Sequence, residues 1–255
     1  MTIMDTDMDT IIRTEGTCTA GEAVDADGDT ALLRLMTWLS PSFPVGAFSY
    51  SHGLEYAVEA GLVTNRDTLV DWVATVVARG AGRLDGALFV RAYAAMCDGD
   101  AAQMKDIMAR ADAMRGTSEM ARESAAQGEA FLVTARRVWP DTRLDALADA
   151  AAADRRPVAY AVAVAAVTAA HGIALRPALT AFLHAAAANL VSAGVRLVPL
   201  GQTDGQRALA ALEPVILATV TEVVVRPFED VGTAAPMIDW ASMRHENQYT
   251  RLFRS

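Results

Sequence analysis

The chain has 255 residues, of which 53% are hydrophobic and 21% charged, and its formal net charge is −9. That length and composition argue against a disordered chain and leave room for a sizeable core, in one large helical domain or two small ones. The acidic balance and the lack of a basic stripe argue against binding nucleic acid through its phosphates, so proteins are the more plausible partners. Alanine dominates and period-two runs of β-branched or aromatic residues are scarce. This favours helices, because alanine enters a helix without losing side-chain entropy.

In chain order, residues 1–29 carry eight carboxylates (Asp5, Asp7, Asp9, Glu15, Glu22, Asp25, Asp27, Asp29) against Arg13 alone. That is −7 of the total, which leaves −2 for the rest, and the stretch reads as a flexible acidic tail. Thr30 is placed to cap a first helix whose broad apolar face holds Leu32, Leu33, Leu35, Met36 and Leu39. Ser40-Pro41 stops it, Pro44 and Gly46 keep the next segment irregular, and a second helix runs from about Ser51 to Glu59 before Gly61. Helical segments then follow from Asn65 to Gly80, from Arg83 to Cys97, from Asp100 to near Gly116, and from Ser118 to Trp139 before Pro140. Shorter ones are expected at 142–153 and 157–171, then long apolar ones at 177–198 and from Asp204 to Val225. Pro227, Gly232 and Pro236 disfavour a continuous helix in the last thirty residues, whose Trp240, Tyr249, Leu252 and Phe253 point to docking. With no repeat of fixed period and no long linker, the expectation is one compact all-α domain over 30–255.

Cys18 and Cys97 define neither a disulfide framework nor a CxxC pair, which fits a reducing compartment. The N-terminus has no basic region leading into an apolar one, so a secretory signal is not expected. The apolar stretches 158–175 and 178–200 are alanine-rich and hold His171, His184, Asn189 and Arg196, which makes buried helices the better reading than membrane spans. A cytoplasmic location follows as the expectation.

A search for catalytic chemistry finds little. The single lysine, Lys105, lies in a helical segment without a glycine loop, so a P-loop is absent. HENQY at 245–249 begins like a zincin helix but has Tyr249 where the second histidine ligand belongs. Counted from Asp25, an EF-hand loop would need glycine at Thr30 and glutamate at Met36. His52, His171, His184 and His245 show no ligand spacing, and no cofactor or metal is expected. An all-helical enzyme or small-ligand binder stays open as the alternative, with Glu55, His184, Asn189 and Arg196 as its polar candidates.

Four separated segments carry a stronger signal: SPSFPVGAFSYSHGLEYAVEAGLV at 40–63, SEMARESAAQGEAFL at 118–132, RLVPLGQTDGQ at 196–206 and SMRHENQYTRLFRS at 242–255. Together they resemble the UreF family of urease accessory proteins, over essentially the whole body beyond residue 29. The resemblance implies an all-α homodimer that is not an enzyme. It implies binding to UreD (also called UreH) and to the GTPase UreG, in a complex that delivers nickel to apo-urease with UreF modulating GTP hydrolysis or gating activation. Carried onto this sequence, it puts Arg244, His245, Tyr249, Arg251 and Phe253 in a C-terminal segment, within about 226–255, that becomes ordered against UreD/UreH. It puts Phe48, Tyr50 and Glu55 at or near the UreG-facing surface, with Arg196 bordering the same surface or an internal passage.

Overall fold

The structure is a computed structural model and describes residues 26–255. Among the described residues it holds eleven α-helices and no strand. They are α1 Ala26–Trp38, α2 Leu54–Glu59, α3 Arg66–Arg79, α4 Ala81–Asp98, α5 Ala101–Ala113, α6 Ser118–Val138, α7 Thr142–Ala153, α8 Tyr160–Ala170, α9 Leu175–Leu197, α10 Gln202–Val225 and α11 Pro236–His245. The all-α expectation holds in a single compact arrangement. Up to residue 25 the acidic tail lies outside the described residues.

Side-chain capping sets four of the helix starts. Asn65 caps α3 with a reciprocal capping box to Thr68, Asp100 caps α5, Thr117 caps α6 and Asp141 caps α7. Two expectations need correction. Thr30 is not a cap: α1 already runs from Ala26, with Asp27 and Asp29 in its first turn, where negative charge complements the helix dipole. The helix expected from Asp204 starts at Gln202, after Gly201 and without a side-chain cap. No continuous helix runs through the last thirty residues: α10 ends at Val225, and Pro236 opens the short α11, because a first-turn proline forfeits no intrahelical hydrogen bond.

The core is organised around α8, in which every residue from Ala161 to Ala170 is buried. Burying one of its valines, such as Val162 or Val164, contributes about 2 kcal/mol. Small residues let its neighbours α4 and α6 come close. At Gly128 of α6, a Cβ would stand 1.9 Å from the Val158 carbonyl oxygen, so only glycine fits there. Helices α3, α9 and α10 form a second packed group, joined to the first through α4 and α9. Helices α9 and α10 have the length and apolarity to cross a membrane, yet both are packed helices of this body, and α10 carries Glu213 and Glu222.

Two features at the surface bear on function. Trp38 at the end of α1 is fully buried, its ring 5.5 Å from that of Trp139 and 5.4 Å from that of His171. The rest of α1 stands off from α9 and α10 and leaves an open groove of about 780 Å³, whose lining includes Leu32, Met36, His184 and Leu217. At the other end of the molecule α11 packs on α2, and the chain beyond α11 folds back across α2 and α6.

Candidate functional site

The chain turns sharply into α2. A 3₁₀ turn over Ala47–Ser49 follows Gly46, and then both His52 (φ 58) and Gly53 (φ 76) adopt left-handed backbone. Gly53 is irreplaceable on a second ground, since a Cβ there would lie 2.8 Å from the Ser242 backbone nitrogen of α11. These turns bring Glu55, in the first turn of α2, to face inward. From the other side, Glu119 and Glu123 project from one face of α6, four residues apart. The three carboxylates line a seat, and residues 245–255 fill it.

The hydrogen bonds of that seat are numerous and short. Glu55 accepts the backbone N–H of Leu252 at 2.7 Å and of Phe253 at 3.0 Å. Arg251 donates to Glu119 at 2.7 Å. His245, wholly buried, lies between two acids: Nδ1 is 2.7 Å from Glu119 and Nε2 3.1 Å from Glu55. Both ring nitrogens face carboxylate oxygens. The ring thereby ties α2 to α6. Farther along, Arg254 N–H donates to the Ser49 carbonyl and Ser51 N–H to that of Ser255, each at 2.8 Å, while the Ser255 hydroxyl donates to Glu123 at 2.7 Å. Ser118 donates to Glu246 at 2.8 Å, and a buried Thr117–Ser242 hydroxyl pair at 2.7 Å anchors α11. Burying carboxylates is costly, and here each is offset by several donors from within the chain.

Arg196 on α9 joins the two segments that the sequence singles out. It donates to the Phe48 carbonyl at 2.8 Å, and its guanidinium lies 4.5 Å from the Phe253 ring centroid. Burial lowers its pKa from the usual arginine value. Asn189, two turns earlier, donates to the Ala47 carbonyl at 3.0 Å. His52 completes the seat, with Nδ1 3.3 Å from Glu123. Burial opposes charge on His52, but the charge of Glu123, its hydrogen bond and the more distant Asp85 outweigh it, and the pKa is raised. Burial likewise pushes Glu123 upward, but His52, Ser255 and Arg115 outweigh it and hold its pKa below the ordinary carboxylate value.

The residues expected to meet partners therefore divide into two sets. Glu55, His245, Phe253 and Tyr50 are buried inside this chain, where they position the segment. Phe48, Arg244, Tyr249 and Arg251 are exposed, with Tyr249 wholly in solvent, and Leu252, Trp240 and Met243 extend the exposed apolar set. Arg244 lies against Tyr56, 5.8 Å from its ring centroid, and Tyr56 meets Trp240 edge-on at 5.3 Å. Sequence reasoning missed the roles of Glu119, Glu123, Ser51 and Ser255. The signal for the two acids was present, as their four-residue spacing beside a helix start puts them on one face. Of the four polar candidates for a ligand pocket, Glu55, Asn189 and Arg196 hold the C-terminal segment and the turn before α2, while His184 lies apart in the groove beside α1. Among the described residues no group of three or more His, Cys, Asp or Glu is placed to hold a metal ion.

A seat of this kind fixes a peptide segment and presents its outer face. The UreF sequence profile matches residues 63–213. Over 237 residues the chain is 50% identical to the urease accessory protein UreF of Rhodopseudomonas palustris, a match covering 93% of this chain and 98% of that one. The chain belongs to the UreF family. It is also 49% identical over 225 residues to the UreF of Bradyrhizobium diazoefficiens, covering 88% of this chain and 92% of the relative. With the UreF of Granulibacter bethesdensis it shares 48% identity over 228 residues, covering 89% and 95%. Membership of the UreF family places the chain's role in urease maturation.

Proposed function

We propose that this UreF-family chain is a non-catalytic adaptor, acting in the cytoplasm, that links UreD/UreH to the GTPase UreG so that nickel is delivered to apo-urease. The observation that carries the reading is the seated C-terminal segment. Its carboxylate contacts are satisfied internally, while Tyr249 and Leu252 and the neighbouring Trp240 and Met243 face solvent. Exposed aromatic and large apolar side chains on a well-anchored backbone are what a protein partner buries. Residues of about 226–255 form the UreD/UreH-facing part, and Phe48 with the Arg196-held turn before α2 forms the UreG-facing part. Arg196 contacts both, so occupation of one is felt at the other.

The adaptor is a homodimer in this reading. Leu32, Leu33 and Met36 of α1 and Leu217 of α10 form an exposed apolar face beside the N-terminal half of α9, whereas Asn189 and Arg196 hold the Phe48 turn beside its C-terminal half, so a second copy there leaves the seat accessible. The test is co-expression with the urease subunits and accessory proteins, followed by isolation through a tag on this chain. Recovery of UreD/UreH and UreG, with nickel-dependent urease activity, is expected. Isolation of this chain alone while urease matures normally overturns the proposal.

A further inference from the structure

Beneath the last residues of the C-terminal segment lies an ionisable pair that the partner reading does not use. His52 holds a left-handed backbone conformation (φ 58), which a non-glycine residue adopts only at a cost. Its side chain is 13% exposed and that of Glu123 is 14%. Glu123 Oε2 lies 3.3 Å from His52 Nδ1 and accepts the Ser255 hydroxyl at 2.7 Å, while Oε1 accepts from Gln127 at 3.1 Å. Ser51, next to His52, donates its N–H to the Ser255 carbonyl at 2.8 Å, which closes a ring of contacts through one carboxylate. His52 Nε2 is buried without a hydrogen-bond partner, so the ring's polar tie to the protein runs through Glu123.

The charged groups around His52 come from every neighbouring element. Glu123 belongs to α6, Asp85 to α4 and Asp239 to α11, and Arg115, between α5 and α6, pairs with Asp85 at 2.6 Å. With a neutral imidazole, three carboxylates face a single guanidinium. With the imidazolium, that excess is reduced.

We infer that His52 and Glu123 form a proton-controlled latch for the C-terminal segment: the imidazolium secures Glu123, Glu123 secures Ser255, and loss of the proton loosens the segment's end. The latch acts on the segment whether or not a partner is bound. The sign follows from the two groups. His52 titrates above its ordinary 6.5 when folded, so its contribution is complete below 6.5 and is lost as pH rises through the raised value. Glu123 titrates below its ordinary 4.5, so its contribution is complete above 4.5 and is lost only in stronger acid. The segment is held best between 4.5 and 6.5.

Hydrogen exchange of the Leu252, Phe253 and Arg254 amides, expressed as protection factors so that intrinsic exchange is removed, reads the latch directly. In the full chain, protection is expected to fall roughly threefold or more between about pH 6 and about pH 8.5. In His52→Gln the fall is expected to vanish while helicity stays unchanged. Glu123→Gln, which keeps an acceptor for Ser255 but no charge, is expected to be equally flat and carries the test should His52→Gln fail to fold. Constant protection in the full chain, or the same fall in either folded variant, overturns the latch.

Discussion

Replacing Glu55 with alanine tests how the C-terminal segment is held. The substitution removes the acceptor of three donors at once: Leu252 N–H, Phe253 N–H and His245 Nε2, the last two on the same oxygen. A hydrogen bond to an ionised acceptor contributes about 1.5–3 kcal/mol, and a buried donor left without a partner costs about 1–3 kcal/mol. The three are not additive, but a combined loss of about 4 kcal/mol is a conservative sum. The segment then leaves its seat, because rehydration satisfies all three donors. Protection of the Leu252 and Phe253 amides is expected to fall at least about 100-fold, roughly 2.8 kcal/mol at 1.4 kcal/mol per decade. Trypsin cleavage after Arg251 and Arg254 is expected to accelerate in parallel. The guanidinium unfolding midpoint should move little, since the α3, α4, α8, α9 and α10 core contributes no donor to Glu55. Unchanged protection at Leu252 and Phe253 in a folded Glu55→Ala protein would refute the reasoning.

Three other substitutions probe separate parts of the account. Gly128→Ala forces a methyl group against the 158–160 backbone and is expected to destabilise the protein by about 3 kcal/mol, read from denaturant unfolding. Leu33→Arg combined with Leu217→Arg places charge on the exposed α1/α10 face. Light scattering is expected to report a dimer for the parent and a monomer of unchanged helicity for the variant. Arg196→Ala removes both the hydrogen bond to the Phe48 carbonyl and the cation–π contact with Phe253, together about 2 kcal/mol. Faster exchange at Phe253 with unaltered global stability is the expected result.

Much of this was legible in the residues themselves. Asn65, Asp100 and Ser118 mark helix starts within a residue, because capping is local chemistry and a side-chain oxygen needs only its own helix. Without a side-chain cap the start is not legible, as at α1, which begins four residues before Thr30, and Pro236 shows a break without showing that a short helix starts on it. The importance of Glu55, His245 and Phe253 was visible through family resemblance, but their placement was not. A motif does not say whether a residue faces a partner or its own chain. That depends on contacts such as Glu55 with Leu252, between residues 197 apart in sequence. Glu123 and Ser255 could be connected only by the fold.

In the proposed function the seated segment offers its outer side chains to a partner in urease maturation. The most direct measurement is urease activation in cells whose own copy of this chain is replaced by Tyr249→Ser/Leu252→Ser. Both side chains are exposed and bear no load in the isolated fold, so the variant should remain as helical and as stable as the parent. The account expects urease activity and capture of UreD/UreH to be lost together. Full activation by the folded double variant would contradict it.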